Sequence, residues 1–426
     1  CGMNASDWKI FRHKMQRDGL TDQTIGTFKR YYEQLCSGET GIIAETDIEP
    51  VLDLPSSDSL AEYESIGIAR LSEAVVIKLN GGLGTSMGMT RAKSLLQVKD
   101  GNSFLDIICQ QIIRLRRESE SQIPLVLMNS VNTRADTMKC LAKYPDLKLD
   151  GIPLDFLQTR VPKVRQDNYL PVEYSGNSEM EWNPPGHGDI YNAMSGSGCL
   201  RKLLDRGYKY AFISNSDNLG AELDPALLGY FADRQFSFMM EVARRTPADR
   251  KGGHLARHTE GHLILREVAQ CAVEDQGSFQ DIDRYRYFNT NSIWINLIQL
   301  DYILKEREQF LNLPLIRNSK TVDPRDPSST PVYQVETAMG AAISCFDKTA
   351  AVCVPRRRFL PVKTTNDLIG LWSDAYVMDN NWQVRLHPER SAGLLVKLDP
   401  KYYKLINQLE ERFPHGAPSQ LHCNSW

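Results

Sequence analysis

From about residue 71 the chain alternates short apolar runs with longer stretches of helical periodicity, and this alternation restricts its fold more than any other feature. AVVIKL, PLVLMNS and YAFISNS read as strands, while FLDIICQQIIRLRR, ADTMKCLAKY and SGCLRKLLDRG read as the helices between them. Such a succession predicts βαβ units, hence an α/β fold whose mixed, mostly parallel sheet is flanked by helices. FSFMMEV, HLILREV and YFNTNSIWIN, within residues 234–300, extend the sheet and add a hairpin over a cleft. Residues 6–38 carry two helical patterns separated at Gly19, and DIEPVLDLPSSDSL is a connector. LIGLWSDAYVM and LDPKYYKLINQLEERF, after residue 365, read as helices. The expected division is a helical segment over 1–70, a catalytic domain over 71–365 and a C-terminal region over 366–426.

A chain of 426 residues with 42% hydrophobic residues can bury sizeable cores, and its net charge of −3 advertises neither nucleic acid nor membrane as partner. Arg356-Arg357-Arg358 reads as a solvated or anion-facing run. Nine scattered cysteines without a C-x-x-C spacing suit reduced, mostly buried thiols. No apolar signal core opens the chain and no stretch approaches a membrane-spanning length, so the cytoplasm is expected.

The strand AVVIKL runs into KLNGGLGTSMGMTRAKS, residues 78–94. Glycines leaving a parallel strand bring backbone N–H groups to a ligand without Cβ interference, and such groups bind phosphate well. The Walker A pattern fails because Met89, not lysine, follows Gly88. The dinucleotide pattern fits Gly82 and Gly84 but finds Met87 where its third glycine belongs, which counts against an oxidoreductase. What remains is a Gly-Gly-x-Gly-Thr loop followed by Lys93-Ser94, a layout suited to a nucleoside triphosphate, with Lys93 facing a leaving pyrophosphate. Taken alone, it is also an ordinary tight turn with a surface lysine.

Other stretches admit both a functional and an ordinary reading. WNPPGHGDIYN joins a stiff turn to a flexible one around Gly186 and His187, and Asp189 is placed to cap a helix. SNSDNLGA follows a strand, so Asp217 stands where open α/β sheets bind ligands and could hold Mg²⁺; it is equally an Asx-rich turn. Asn289, Thr290 and Asn291 offer neutral amides suited to sugar hydroxyls. RRRFLPVKTTNDL brings Lys363 behind an apolar, proline-kinked stretch. His254, His258 and His262 recur every four residues, a zinc spacing on a helix; the flanking glycines favour a hairpin instead, which is expected to separate the imidazoles.

In combination, LNGGLGTSMG, MNSVNTRADT, LQTRVPK, WNPPGHGDIY, NSDNLGA, FNTNSIWIN and FLPVKTTNDL closely resemble the successive motifs of the UTP–glucose-1-phosphate uridylyltransferases, from about residue 70 to 400. The resemblance implies a Rossmann-like nucleotidyltransferase that makes UDP-glucose and pyrophosphate from UTP and glucose 1-phosphate with Mg²⁺ as cofactor. It implies that Leu79, Asn80, Gly81 and Gly82 form the nucleotide loop, that Lys93 contacts the triphosphate and that Gln158 reads uracil. Gly186 and His187 match the turn around nucleotide and sugar phosphate, Asn215 and Asp217 the substrate and magnesium positions, Asn291 with Asn289 a sugar contact, and Lys363 the catalytic lysine.

Two departures accompany the likeness. Many family members have Gly-Pro where this chain has Arg91-Ala92, a form resembling protozoan relatives. Members commonly continue into a left-handed β-helix, and LHCNSW stands about where one would begin, so that domain is expected to be absent or truncated and oligomeric state is not inherited. Broader sugar tolerance, including galactose 1-phosphate, stays open, because one hydroxyl's partners decide it. A non-catalytic UDP-sugar-binding protein is the rival of another class; retention of both Lys93 and Lys363 argues against it.

Overall fold

The computed structural model describes residues 5–390, 393–423 and 425. The chain packs as two compact units, each gathered from three separated segments. One comprises Cys1–Ser56, Gln158–Arg206 and Gln235–Cys353; the other comprises Ser57–Leu157, Gly207–Arg234 and Val354–Trp426. Among the described residues no helix is long and apolar enough to cross a membrane.

The second unit carries the parallel strands that the apolar runs predict. Tyr210–Asn215, Ala74–Asn80, Leu125–Asn129 and Asp155–Leu157 lie side by side in that order, all parallel. Their register sets Asn215 against Leu79 and Asn80 against Asn129, so the strands' carboxyl ends and the loops that leave them fall together. Val75, Val76 and Ile77 are buried, as is every residue of Leu125–Asn129, as a strand covered on both faces requires. The helix Phe104–Ser119 begins at a capping box, in which Ser103 Oγ accepts from Asp106 N and the Asp106 carboxylate accepts from Ser103 N. Its buried face presents Ile107, Ile108 and Ile112, each worth about 1.5–3 kcal/mol in apolar burial.

Beyond residue 365 the periodicity is read differently by the fold. The helix Thr365–Trp372 stops before SDAYVM, and Tyr376–Met378 pairs antiparallel with Val384–Leu386. Ser373 turns the chain, its Oγ donating to Gly370 O and accepting from Ala375 N. The last pattern breaks into Pro400–Tyr403 and Ile406–Arg412 because Leu405 is extended between them.

The first unit is built around antiparallel pairings. Phe238–Arg244 pairs antiparallel with Tyr287–Asn296 and parallel with Thr349–Cys353. The helices Ala5–Arg17 and Asp22–Ser37, divided at Gly19 as expected, bury Phe11, Met15, Phe28, Tyr32 and Leu35 against Val161, Val164 and Val335. The histidine stretch forms the predicted hairpin, His254–His258 against Leu263–Arg266. The imidazoles, however, are not all separated. His254 is fully buried and stacks on Tyr285, whereas the rings of His258 and His262 stack on each other with centroids 4.8 Å apart. A three-residue turn lets cross-strand neighbours share a face, which the four-residue spacing alone did not reveal.

Candidate active site

In the second unit the glycine loop leaves Asn80 and returns through a backbone bond from Lys93 N to Gly82 O, 3.0 Å. Gly84 and Gly88 take left-handed φ of 68° and 79°, so the reversals inside the loop need residues without Cβ. Ser130 Oγ donates to Gly81 O at 3.0 Å and pins the loop's start. The Asn80 side chain is buried, its amide donating to Asn129 Oδ1 and Thr137 Oγ1. Asn80 thus braces the strand ends. Leu79 is partly buried beside Asn215. Arg91 is exposed and Ala92 fully buried.

Lys93 Nζ donates to Asp217 Oδ2 at 2.5 Å, joining the glycine loop to the SNSDN turn. The two side chains are 16% and 20% exposed, open enough to meet a ligand and covered enough for their charges to matter. Asp217 Oδ1 is buried and accepts no hydrogen bond. A carboxylate oxygen of that kind fits a hard cation, which binds through one or two carboxylates.

Lys363 arrives at the same turn. Val362 N donates to Asp217 O at 3.3 Å, and Asn218 pairs with Pro361. Asn218 fixes this approach on both sides, accepting from Leu360 N at 2.8 Å and donating to Arg358 O at 3.1 Å. Gly220 permits it: a Cβ there would stand 2.3 Å from Arg357 O. The Lys363 side chain is exposed, its Nζ 5.9 Å from the centre of the Phe359 ring. Beneath the turn, Lys78 Nζ is buried and donates to Ser214 Oγ and Ala221 O, both at 2.7 Å. Neither Asn218 nor Lys78 is singled out by the sequence; Asn218 lies inside the motif that contains Asp217, and Lys78 inside the strand AVVIKL.

The first unit holds a separate polar set. Gln158 Nε2 donates to Gly186 O at 2.9 Å. Gly186 has φ of 78°, and a Cβ would meet Thr337 O at 2.3 Å. Met339 N donates to His187 Nδ1 at 2.8 Å. His187 is partly accessible at its surface, yet burial lowers its pKa to about 4. A neutral ring whose Nδ1 accepts must carry its proton on Nε2, so His187 presents one donor. Asp189 precedes the helix Ile190–Gly196 but makes no capping bond; it accepts from Thr159 N at 2.7 Å, and burial raises its pKa to about 6.

Asn291 sits in a bulge of the strand Tyr287–Asn296, where register slips between Glu241 and Val242, and Asn289, paired with Val242, flanks it. Asn291 adopts φ of 57°, and the amides bond each other: Asn289 Nδ2 donates to Asn291 Oδ1 at 2.8 Å, and Asn291 N to Asn289 Oδ1 at 2.9 Å. Thr290 Oγ1 anchors the bulge on Glu241 O at 2.7 Å. Asparagine tolerates this conformation better than most residues, and a bulge re-aims side chains out of the ladder.

The family model described as UTP–glucose-1-phosphate uridylyltransferase matches residues 25–426. The chain belongs to this family. It is 39% identical to the probable UTP–glucose-1-phosphate uridylyltransferase of Schizosaccharomyces pombe over 395 residues, covering 91% of this chain and 76% of that protein. Its fold superposes on the UDP-glucose pyrophosphorylase of Leishmania major with a TM-score of 0.92 at 43% identity, covering 99% and 91% of the two chains. A Trypanosoma brucei structure described as UDP-glucose phosphorylase matches with a TM-score of 0.88 at 45% identity, covering 99% and 90%. The L. major L281D mutant was solved in complex with UDP-glucose.

Proposed function

We propose that the chain transfers the uridylyl group of UTP to glucose 1-phosphate, releasing pyrophosphate and forming UDP-glucose. The observation carrying the mechanism is the Lys93–Asp217 pair at the carboxyl ends of the parallel strands, with Asp217 Oδ1 buried and unpartnered. In the reaction, an oxygen of the sugar phosphate forms a bond to the α-phosphorus while the α–β bridging P–O bond breaks and its electron pair leaves on pyrophosphate. The nucleophile is already anionic, so neither a general base nor a covalent intermediate is required. The difficulty is electrostatic, because two anions meet and a third departs.

Lys93, Lys363 and the backbone amides of the glycine loop offset that charge. Asp217 is the residue that would hold Mg²⁺, which when bound neutralises phosphate oxygens and lowers the charge opposing attack. In the first unit Gln158, held by Gly186, is assigned to uracil; the Nε2–H of His187 to an anionic oxygen; and the amides of Asn289 and Asn291 to sugar hydroxyls. Asn215, beside Leu79, is assigned to the substrate. Cytoplasmic placement belongs to the same reading and rests on the reduced-thiol composition.

The test is pyrophosphate release from purified protein given UTP, glucose 1-phosphate and Mg²⁺, with galactose 1-phosphate as a sugar control. Release should require all three components and fall about 10²-fold in Lys363→Ala. UDP-glucose binding without any release would replace this reading with that of a binding protein.

A further inference from the structure

We infer that the tip of the hairpin His254–His258/Leu263–Arg266 is a binding site for a borderline transition-metal ion, Zn²⁺ or Ni²⁺, held by His258, Glu260 and His262. One donor atom from each of the three lies within 4.8 Å of the others. The backbone beneath them is fixed: His258 N donates to His262 O, and Gly261 N to His258 O, both at 2.8 Å. Gly261 reverses the chain at φ of 101°, and Thr259 N donates to Asp47 O at 2.9 Å, tying the tip to the neighbouring segment. The Cα positions are therefore set before any ion arrives.

Zinc ligands at ~2.0–2.2 Å from the ion stand ~3.3 Å apart in a tetrahedron. Closing the donors to that spacing takes only side-chain rotation, which is inexpensive because His258 and Glu260 are 27% and 76% exposed and His262 is exposed too. Two imidazoles and one carboxylate, with water completing the shell, select zinc, nickel or copper over magnesium, which prefers oxygen ligands. Glu260 N donates to His258 Nδ1 at 3.2 Å, and the Glu260 carboxylate stands 3.6 Å from the same nitrogen, so the turn already brings these two ligands together.

The experiment is calorimetric titration of the full chain with Zn²⁺ in excess Mg²⁺, repeated for His258→Ala, His262→Ala and the double variant. The expected result is one saturable Zn²⁺ per chain, affinity on the order of tenfold lower or worse in each single variant, and none of that binding in the double variant. A Zn²⁺-dependent rise in unfolding temperature, present in the parent and absent in the double variant, should accompany it. Equal midpoints without metal would show that the variants are folded. Saturable binding that survives the double substitution would assign the ion to thiols elsewhere and overturn the inference, as would no saturable binding at all.

Discussion

Lys93 and Asp217 meet at 2.5 Å across two loops that leave adjacent parallel strands. Each therefore has a partner before a substrate arrives. In the proposed reaction an incoming triphosphate would compete with Asp217 for Lys93, and an incoming cation would compete with Lys93 for Asp217. Each arrival frees the group that the other needs, so nucleotide and metal should bind cooperatively.

Lys93→Ala and Asp217→Asn should each lower kcat by about 10²–10³-fold, and their combination should lose far less than the product of the two, because they act as a unit. Steady-state kinetics over a double-mutant cycle reads this directly. Full multiplicativity would mean that the contact is incidental to catalysis.

The placement of Lys363 depends on Gly220 as much as on its own loop. Gly220→Ala puts a methyl group 2.3 Å from Arg357 O, and the 357–363 backbone must move. We expect a loss of about 1–3 kcal/mol in urea unfolding together with a fall in kcat. A variant with unchanged kcat would show that the Asn218-held approach does not set the position of Lys363.

Asn291→Gly separates conformation from contact. Glycine accepts the left-handed φ of 57° without strain, so the bulge should persist while the amide is lost. KM for glucose 1-phosphate should rise about tenfold with little change for UTP. Asn291→Val, which opposes that φ, should in addition destabilise the fold by about 1–3 kcal/mol.

Two groups of the first unit shift in opposite senses with acid. His187, lowered from 6.5 to about 4, contributes stability above pH 6.5 that is lost as pH falls through that range. Asp189, raised from 3.8 to about 6, works the other way: its contribution is complete below pH 3.8 and is lost as pH rises toward 6. Asp189→Asn removes the second effect. Relative to the parent, this variant should gain stability between pH 4 and 6, up to about 3 kcal/mol, and hold the gain above pH 6. Urea unfolding at a series of pH values tests this; a difference that does not vary with pH would refute it.

Much of this was legible in the sequence because the signals were local. The runs AVVIKL, PLVLMNS and YAFISNS became parallel strands because a buried strand needs little more than continuous apolar side chains. The unusual strings around Lys93 and Asp217 carried the family. What stayed hidden depends on partners distant in sequence. Nothing local marks Ser214 and Ala221 as partners of Lys78, Asn129 and Thr137 as partners of Asn80, or Asp189 as an acceptor for Thr159 instead of a helix cap. The stacking of His258 on His262 follows from a three-residue turn, whereas the hairpin reading had led to the expectation that the imidazoles separate.

The threading of the chain through its two units bears on how the protein is made. No unit is a continuous stretch, and the polypeptide changes unit after Ser56, Leu157, Arg206, Arg234 and Cys353. During synthesis the first unit lacks its last strand until Cys353 has emerged, and the second waits longer, for the segment bearing Lys363. A nascent chain that has emerged as far as Cys353 would hold all of one unit and an unfinished other, which still lacks the segment bearing Lys363.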